Sequence, residues 1–176
     1  MIDLSKKRVV FMDLDDTLIK TASGKTFPRS VADFTIRLDV LKKLRELDLA
    51  LIMIVTNQGG IPKFCKEWEF KAKIKAVTAF VNAYVGTITQ YRYCTSLDKS
   101  DPKRKPNTGM LDDLLVNANG HRKSFGLRPY EKCEMFYIGD ASGIHNDVRD
   151  DYSDDDRRCA ENFGIEYVDV EEFVGE

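Results

Sequence analysis

The stretch that most constrains this chain is Arg8–Ile19, RVVFMDLDDTLI, in which a short apolar run leads directly into a group of aspartates. After Arg8 the run is apolar, with β-branched Val9 and Val10 and no helical periodicity, which predicts a buried parallel strand over residues 8–12. The carboxylates of Asp13, Asp15 and Asp16 follow at once. Such close carboxylates repel one another at a partly dehydrated strand end, so a compensating cation is expected. Mg²⁺ suits the role because it prefers hard oxygen ligands. An aspartate-rich turn that caps the next segment is the alternative.

Further apolar runs along the chain alternate with segments of helical periodicity. Ala50–Val55 and Met135–Ile138 predict buried strands, and Lys66–Tyr84 and Met110–Asn117 predict helices. This alternation indicates an α/β protein with a parallel sheet and helices on both of its faces. Ligands of such sheets bind beyond the carboxyl ends of the strands. Three predicted strands end there in polar residues: Asp13, Thr56 and Asp140.

Composition and cysteine spacing exclude several classes of protein. The chain has 176 residues, 43% of them hydrophobic and 32% charged, which predicts one domain over residues 1–176 with a proper core. No run approaches the ~20 apolar residues of a membrane span, and the N-terminus lacks an apolar signal core. An intracellular protein is therefore expected, cytoplasmic or, in a eukaryote, nuclear, and not secreted. The four cysteines are widely spaced without a CxxC pair, so neither disulfides nor a zinc site is expected.

The charge of the chain is distributed unevenly. Residues 133–176 hold 14 Asp/Glu and three Arg, a net charge of −11. Residues 1–132 hold 24 Lys/Arg and 15 Asp/Glu, a net charge of +9. A basic body with an acidic end is compatible with a polyanion bound to one face, and equally with surface charge that maintains solubility.

Two polar positions, Thr56 and Lys105, resemble the second and third motifs of the haloacid dehalogenase-like (HAD) phosphatases, and both suit phosphate chemistry. The hydroxyl of Thr56 and the backbone N–H groups from Asn57 onward could hold phosphate oxygens, although an ordinary TNQGG turn is an equal alternative. Lys105, fixed by Pro106 before a predicted helix, could neutralise a phosphate. A single lysine in a loop is more commonly only solvated. Lys105 therefore indicates a phosphate site only together with the other polar positions.

The stretch DLDDTL resembles the first motif, D-x-D-x-T, of the haloacid dehalogenase-like (HAD) phosphatases, and three further motifs follow in order. Thr56 resembles the second motif, Lys105 the third, and Asp140 in FYIGDASG the fourth. Asp156 has the place of the second acid of the fourth motif. The other candidates for that place are Asp151, Asp154 and Asp155. For all four acids, capping of the helix N-terminus is the alternative role.

The resemblance implies a Rossmann-like HAD sheet, with no room in this chain for a cap domain. It also implies that Asp13 attacks phosphorus to form an aspartyl phosphate, while Asp15 acts as general acid and base. Thr56 and Lys105 would hold the phosphoryl oxygens. Mg²⁺ would be bound by Asp13, the Asp15 backbone carbonyl and Asp140, with Asp156 supporting the site.

A closer resemblance, covering about Val9 to Phe173, is to the 3′-phosphatase domain of polynucleotide kinase/phosphatases. It rests on TASGKTFP after the first motif, on FKAKIKAV and KRKPNTGM, and on the long loop after FYIGDASG. It implies removal of 3′-phosphates from DNA ends. Two departures are the absence of a P-loop, so that no 5′-kinase activity is expected, and Asp16 where glycine is commoner.

If DNA is the substrate, basic side chains near the motifs should contact neighbouring phosphates and aromatic rings should stack on bases. Lys25, Arg104 and Asn57 are the predicted substrate-binding residues. Other candidates are Lys20, Arg29, Lys63, Lys103, Phe27, Trp68 and Tyr130. For each of these basic and aromatic side chains, Lys25 and Arg104 included, a solvated or core role is at least as plausible. The alternatives are a small-molecule HAD phosphatase of the histidinol-phosphate or heptose-bisphosphate type and an inactive module that holds DNA ends. The sequence does not predict an oligomeric state.

Overall fold

The computed structural model describes residues 2–26, 28–145 and 151–175. The strands are β1 (Val9–Met12), β2 (Ile19–Lys20), β3 (Thr35–Ile36), β4 (Leu51–Asn57), β5 (Ile88–Cys94), β6 (Met135–Gly139) and β7 (Glu166–Asp169). The helices are α1 (Leu38–Arg45), α2 (Glu67–Val85), α3 (Gly109–Ser124), α4 (Asp155–Phe163) and α5 (Val170–Val174).

Five of the strands form a parallel sheet in the order β5-β4-β1-β6-β7, and β2 pairs with β3 in an antiparallel hairpin. The central strand β1 lies between β4 and β6, so the chain order reverses there. In register, Met12 lies opposite Ile54 on one side and Ile138 on the other. The residues just beyond these three therefore meet at one edge of the sheet, at the switch point where ligands of such folds bind.

Both faces of the sheet are covered by helices, as predicted. Side chains of β1 alternate between the two faces because successive residues of a strand point in opposite directions. Val10 and Met12 pack in a cluster with residues of α1, α2 and α5, whereas Val9 and Phe11 pack with residues of α3 and α4. The predicted α/β class with a parallel sheet and helices on both faces is confirmed, and the described residues form no separate cap domain.

One predicted helix was too short. The prediction ended at Asn117, but α3 continues to Ser124 through Asn119 and Gly120, which are poor helix formers. Its buried side chains, which include Leu114 and Ala118, pack against the sheet, and this packing overrides the local preference.

Within the described part of the chain, no helix is both long and apolar enough to cross a membrane.

Candidate active site

Three carboxylates from separate parts of the chain converge at the carboxyl edge of the sheet. Asp13 follows β1, Asp140 follows β6, and Asp156 lies in the first turn of α4. Each offers an oxygen, and these oxygens all lie within 4.8 Å of one another. Asp13 is 8% exposed and Asp156 only 1%. In the described ranges, this is the one group of three or more His, Cys, Asp or Glu side chains close enough to hold a metal ion.

The ammonium of Lys105 joins two of these carboxylates. Its Nζ lies 2.5 Å from Asp13 Oδ1 and 2.7 Å from Asp156 Oδ1, and the side chain is 4% exposed. A third contact, at 3.3 Å, is with the hydroxyl of Tyr137, which itself donates to Asp156 Oδ1 at 2.9 Å. Since an ammonium has three hydrogens, the two short contacts occupy two of them and hold the lysine in one orientation, and the third is engaged only by the longer contact with Tyr137.

The charges of this cluster do not balance, because three carboxylates face one buried ammonium. Burial raises the pKa of Asp13 well above its ordinary value, against the opposing effect of Lys105. Burial, followed by the charge of Asp156, also raises the pKa of Asp140 to about 7. For Lys105 burial alone would favour the neutral amine, but Asp13 and Asp156 raise its pKa and keep it charged. A divalent cation would remove the excess negative charge, and the oxygen donors suit Mg²⁺.

The loop that carries Lys105 is fixed by Asn57, at the end of β4. Asn57 Oδ1 accepts a hydrogen bond from the Lys105 backbone N–H at 3.0 Å, and Asn57 Nδ2 donates to the Lys105 carbonyl at 3.1 Å. Asn57 was predicted to bind substrate through its backbone N–H. The side-chain amide is committed to the backbone of Lys105, so the contact with a phosphate through the main chain stays a prediction.

Asp15, the second acid of the first motif, is not among the three converging carboxylates and has partners of its own. Its Oδ2 accepts a hydrogen bond from Gln58 Nε2 at 2.6 Å, and its Oδ1 lies 3.4 Å from Lys73 Nζ. Gln58 Nε2 also donates to Thr56 Oγ1 at 3.0 Å. Because that hydroxyl oxygen already accepts a hydrogen bond, its own hydrogen can be donated to another acceptor.

Sequence reasoning missed Lys73, whose side chain is 8% exposed and whose Nζ also lies 5.4 Å from the centre of the Phe34 ring. The signal was present in the helical spacing of α2. Lys73 is three residues after Phe70 and four before Val77, so it lies on the apolar stripe. A lysine on the buried face of a helix requires a partner, and here the partner is Asp15.

The turn after β1 depends on an unusual backbone conformation. Asp16 has φ 55°, in the left-handed region that favours glycine. Its carbonyl accepts a hydrogen bond of 3.4 Å from Arg37 Nη1, and burial, followed by the charge of Asp15, raises the pKa of its own carboxyl. The next residue, Thr17, donates from Oγ1 to Asp140 Oδ1 at 3.0 Å. Chain reversal here thus places the threonine of the motif against the fourth-motif aspartate.

The other candidate acids have separate positions. Asp151 Oδ2 accepts hydrogen bonds from Ser142 and Ile144 in the loop after β6, whereas Asp154 is the residue before α4. Asp155, in the first turn of α4, is partly buried, and burial raises the pKa of its carboxyl. Asp156 is therefore the acid of this region that joins the cluster with Asp13 and Asp140.

The predicted substrate-binding side chains have differing positions, and Lys25 and Arg104 lie on loops. Lys25 is exposed, and Arg104 is half-buried with its Nη1 donating to the Ser96 carbonyl at 2.7 Å. Trp68 is 65% exposed in the first turn of α2. Tyr130 instead packs partly against the core under α3 and α4. Phe27 and residues 146–150 of the loop after β6 lie outside the described residues.

Comparison with known proteins gives a match over nearly the whole chain. A family model described as polynucleotide kinase 3 phosphatase matches residues 8–174. A bifunctional polynucleotide phosphatase/kinase of Schizosaccharomyces pombe is 33% identical over 171 residues, which cover 95% of this chain and 37% of that protein. This chain therefore spans little more than a third of that relative. A polynucleotide 3′-phosphatase of Saccharomyces cerevisiae is 28% identical over 209 residues, covering 93% of this chain and 86% of the relative.

Solved structures show the same fold. A D,D-heptose 1,7-bisphosphate phosphatase from B. bronchiseptica, complexed with magnesium and phosphate, superimposes with a TM-score of 0.62 at 14% identity. The match covers 91% of this chain and 78% of that one. The predicted resemblance to HAD phosphatases, and within them to polynucleotide 3′-phosphatases, is confirmed: this chain belongs to the polynucleotide kinase 3 phosphatase family.

Proposed function

We propose that this protein is a Mg²⁺-dependent DNA 3′-phosphatase that works through an aspartyl phosphate on Asp13. The observation that carries the proposal is the convergence of Asp13, Asp140 and Asp156, two of which, Asp13 and Asp156, contact the buried ammonium of Lys105. Isolating these charged groups from water costs free energy, and the packing of an apolar core does not require them. Their presence therefore supports a chemical role for the cluster. The proposed substrate is inferred from relatives that are named polynucleotide 3′-phosphatase.

In the first step, a carboxylate oxygen of Asp13 attacks the phosphorus of the terminal 3′-phosphate. The bond from phosphorus to the 3′-oxygen breaks, and the proton of the Asp15 carboxyl passes to that oxygen to give a 3′-hydroxyl. In the second step, Asp15 takes a proton from water, which attacks the aspartyl phosphate and releases inorganic phosphate. Asp13 is thereby regenerated as a carboxylate, and Asp15 again as an acid.

The protein's own donors position the phosphoryl group. The free hydrogen of the Thr56 hydroxyl and the ammonium of Lys105 are proposed to bind its equatorial oxygens. Lys105 keeps its place through Asn57 and Asp156. Lys25 and Arg104 are proposed to contact the phosphates of neighbouring nucleotides, which carry most of the affinity of such proteins for DNA.

The donor set also fits a magnesium site. Asp13 and Asp140 would bind Mg²⁺ together with the Asp15 backbone carbonyl, and Asp156 would support it from the first turn of α4. When bound, Mg²⁺ would neutralise negative charge on the phosphoryl oxygens. The raised pKa values of Asp13 and Asp140, due first to their burial, support this proposal, since a bound cation would favour both carboxylates in their charged form.

Lys73 is proposed to position Asp15 for proton transfer. We expect Lys73→Met to lower kcat about 10- to 100-fold with little change in KM, because Asp15 would keep only the hydrogen bond from Gln58. Lys75→Met is the matched control, since Lys75 is exposed on the same helix. Steady-state kinetics of both variants test this. Equal kcat values for the two variants would contradict the proposed role.

Gly139 is proposed to be required by the close approach of Asp156. A Cβ at position 139 would lie 2.6 Å from both Cβ and Cγ of Asp156, so that Asp156 would have to move. We expect Gly139→Ala to lower kcat at least about tenfold, because Lys105 would be displaced with its partner. The control is Gly120→Ala in α3, where the added methyl group meets nothing within 4 Å and full activity should remain.

One assay distinguishes the proposed function from its alternatives. A single-stranded oligonucleotide with a 3′-phosphate and a panel of sugar phosphates are each incubated with the protein, in Mg²⁺ and in EDTA, and released phosphate is measured. We expect release from the oligonucleotide that requires Mg²⁺ and is lost in Asp13→Asn. Faster release from a sugar phosphate would favour a small-molecule phosphatase, and tight DNA binding without any release would indicate an inactive binding module.

A further inference from the structure

Asp16, in the turn after β1, is the one residue of the described ranges, glycines apart, whose backbone φ is positive. The left-handed region is strained for an L-residue because its Cβ approaches a neighbouring carbonyl oxygen, although Asp tolerates it better than most. The two dihedral angles of Asp16 set the relative orientation of the peptide groups on either side of it. They therefore set the relation between Asp15, the proposed general acid, and Thr17, which donates to Asp140.

Arg37 lies against this turn with a buried guanidinium. The residue is 6% exposed and lies between β3 and α1. Its backbone N–H donates to the Leu18 carbonyl at 3.0 Å, and its Nη1 donates to the Asp16 carbonyl at 3.4 Å. Arg37 thus contacts two carbonyls of the turn, one through its main chain and one through its side chain.

Two carboxylates orient the guanidinium toward the turn. Glu171, in the first turn of α5, accepts from Nη1 at 2.8 Å and from Nη2 at 3.1 Å. Asp39, in the first turn of α1, accepts from Nη2 at 2.6 Å and from Nε at 3.2 Å. A guanidinium has five N–H hydrogens in one rigid plane, so these four contacts leave one hydrogen of Nη1 for the Asp16 carbonyl. That contact is the longest of the five, and the four shorter ones fix its direction.

The proposed chemistry does not use Arg37, so its buried charge requires another explanation. An ion pair that only joined α1 to α5 would not require a contact with the turn. We propose that Arg37 is a positioning residue that holds Asp16 in its left-handed conformation and thereby keeps Asp15 and Thr17 in place for the reaction. This inference rests on the proposed function. Because glycine adopts a positive φ without strain, replacement of Asp16 by glycine should make Arg37 dispensable.

The test measures Arg37→Met in three backgrounds: wild type, Asp16→Gly and Asp16→Ala. Both changes at position 16 remove the carboxylate, and only the Cβ distinguishes them. Glu171→Gln is made in the same backgrounds as a milder variant, in which the guanidinium remains but loses its bidentate partner. It takes the place of Arg37→Met if urea unfolding shows that Arg37→Met does not fold. Arg45→Met is the matched control, since Arg45 is exposed at the end of α1.

Two properties are measured for each variant. The first is the pair kcat and KM on a 3′-phosphorylated oligonucleotide in Mg²⁺. The second is the rate of hydrogen exchange of the Leu18 and Ile19 amides, which both donate to the Leu14 carbonyl and so report on closure of the turn.

We expect Arg37→Met to lower kcat about 10- to 100-fold with little change in KM, and to speed exchange of both amides. In the Asp16→Gly background the same change should lower kcat less than about threefold, because glycine needs no support at this φ. In the Asp16→Ala background the fall should be at least as large as in wild type. Arg45→Met should leave both properties unchanged.

Equal falls of kcat in the wild-type and Asp16→Gly backgrounds would overturn the inference and leave Arg37 as a structural link between α1 and α5. A fall no larger than that of Arg45→Met would overturn it as well. Failure of the proposed function is distinguishable, because wild type would then release no phosphate from the oligonucleotide. The dependence of amide exchange on Arg37 and on the residue at position 16 would still test the positioning role.

Discussion

Asp13→Asn is expected to fold normally and to release phosphate from a 3′-phosphorylated oligonucleotide at least about 1,000-fold more slowly than wild type. An amide cannot form the aspartyl phosphate, so the two-step route is closed. The fold should remain intact because Asn has nearly the same shape, and because Lys105 keeps its 2.7 Å contact with Asp156. Removal of one carboxylate also lessens the excess negative charge of the cluster.

Single-turnover kinetics and thermal unfolding of Asp13→Asn together test this expectation. The neighbouring Asp16→Asn is the control, since Asp16 is exposed and lies outside the group of converging carboxylates. It should retain most of the activity. Phosphate release by Asp13→Asn within tenfold of wild type would contradict the role of Asp13 as nucleophile. Loss of folding in Asp13→Asn would instead assign Asp13 a structural role.

Lys105→Met is expected to have the largest effect on stability. Without the ammonium, Asp13 and Asp156 lose their buried cation, and breaking a buried ion pair in this way costs about 3–5 kcal/mol. The loss should be greatest in EDTA and smaller in Mg²⁺, since a cation that binds only the folded state stabilises it. Activity should also fall at least about 100-fold, because a charged donor to the phosphoryl group is missing.

Urea unfolding of Lys105→Met in EDTA and in Mg²⁺ measures this effect. The control is Lys103→Met, two residues earlier, whose Nζ lies 2.8 Å from Asp113 Oδ2 on the surface with its side chain 55% exposed. An exposed pair of this kind contributes at most about 1 kcal/mol to the free energy of unfolding. Equal losses of stability in the two variants would contradict the picture of Lys105 as the buried cation of the cluster.

The sequence was sufficient for the parts of this site that follow directly from strand ends. Asp13 and Asp140 come after buried apolar runs, and parallel strands in register must bring such positions to one edge. For the second acid of the fourth motif, the sequence favoured Asp156 but left three neighbouring acids as competitors. Spacing along a loop does not specify which carboxylate turns inward. The structure distinguishes them through Lys105 and the hydroxyl of Tyr137.

The contacts that sequence reasoning missed are made by side chains whose positions in the sequence suggest only a core, turn or surface role. Tyr137 occupies a core position of β6, and its buried hydroxyl contacts Asp156 only because α4 packs over that strand. Asn57 contacts a backbone 48 residues away, a pairing with no local signature. Lys73 did leave a signal, as a cation on the apolar stripe of α2, but its partner Asp15 is visible only in three dimensions.

The central claim is that Asp13, Asp15, Thr56, Lys105 and Asp140 act together on one phosphoryl group, which passes through Asp13. The most direct test is to mix the protein and Mg²⁺ with an oligonucleotide whose 3′-phosphate is radiolabelled, quench in acid within milliseconds, and map the label by proteolysis and mass spectrometry. We predict label on Asp13 that decays as free phosphate appears, and none in Asp13→Asn. Label on another residue, or phosphate release without any labelled protein at the earliest times, would contradict the account.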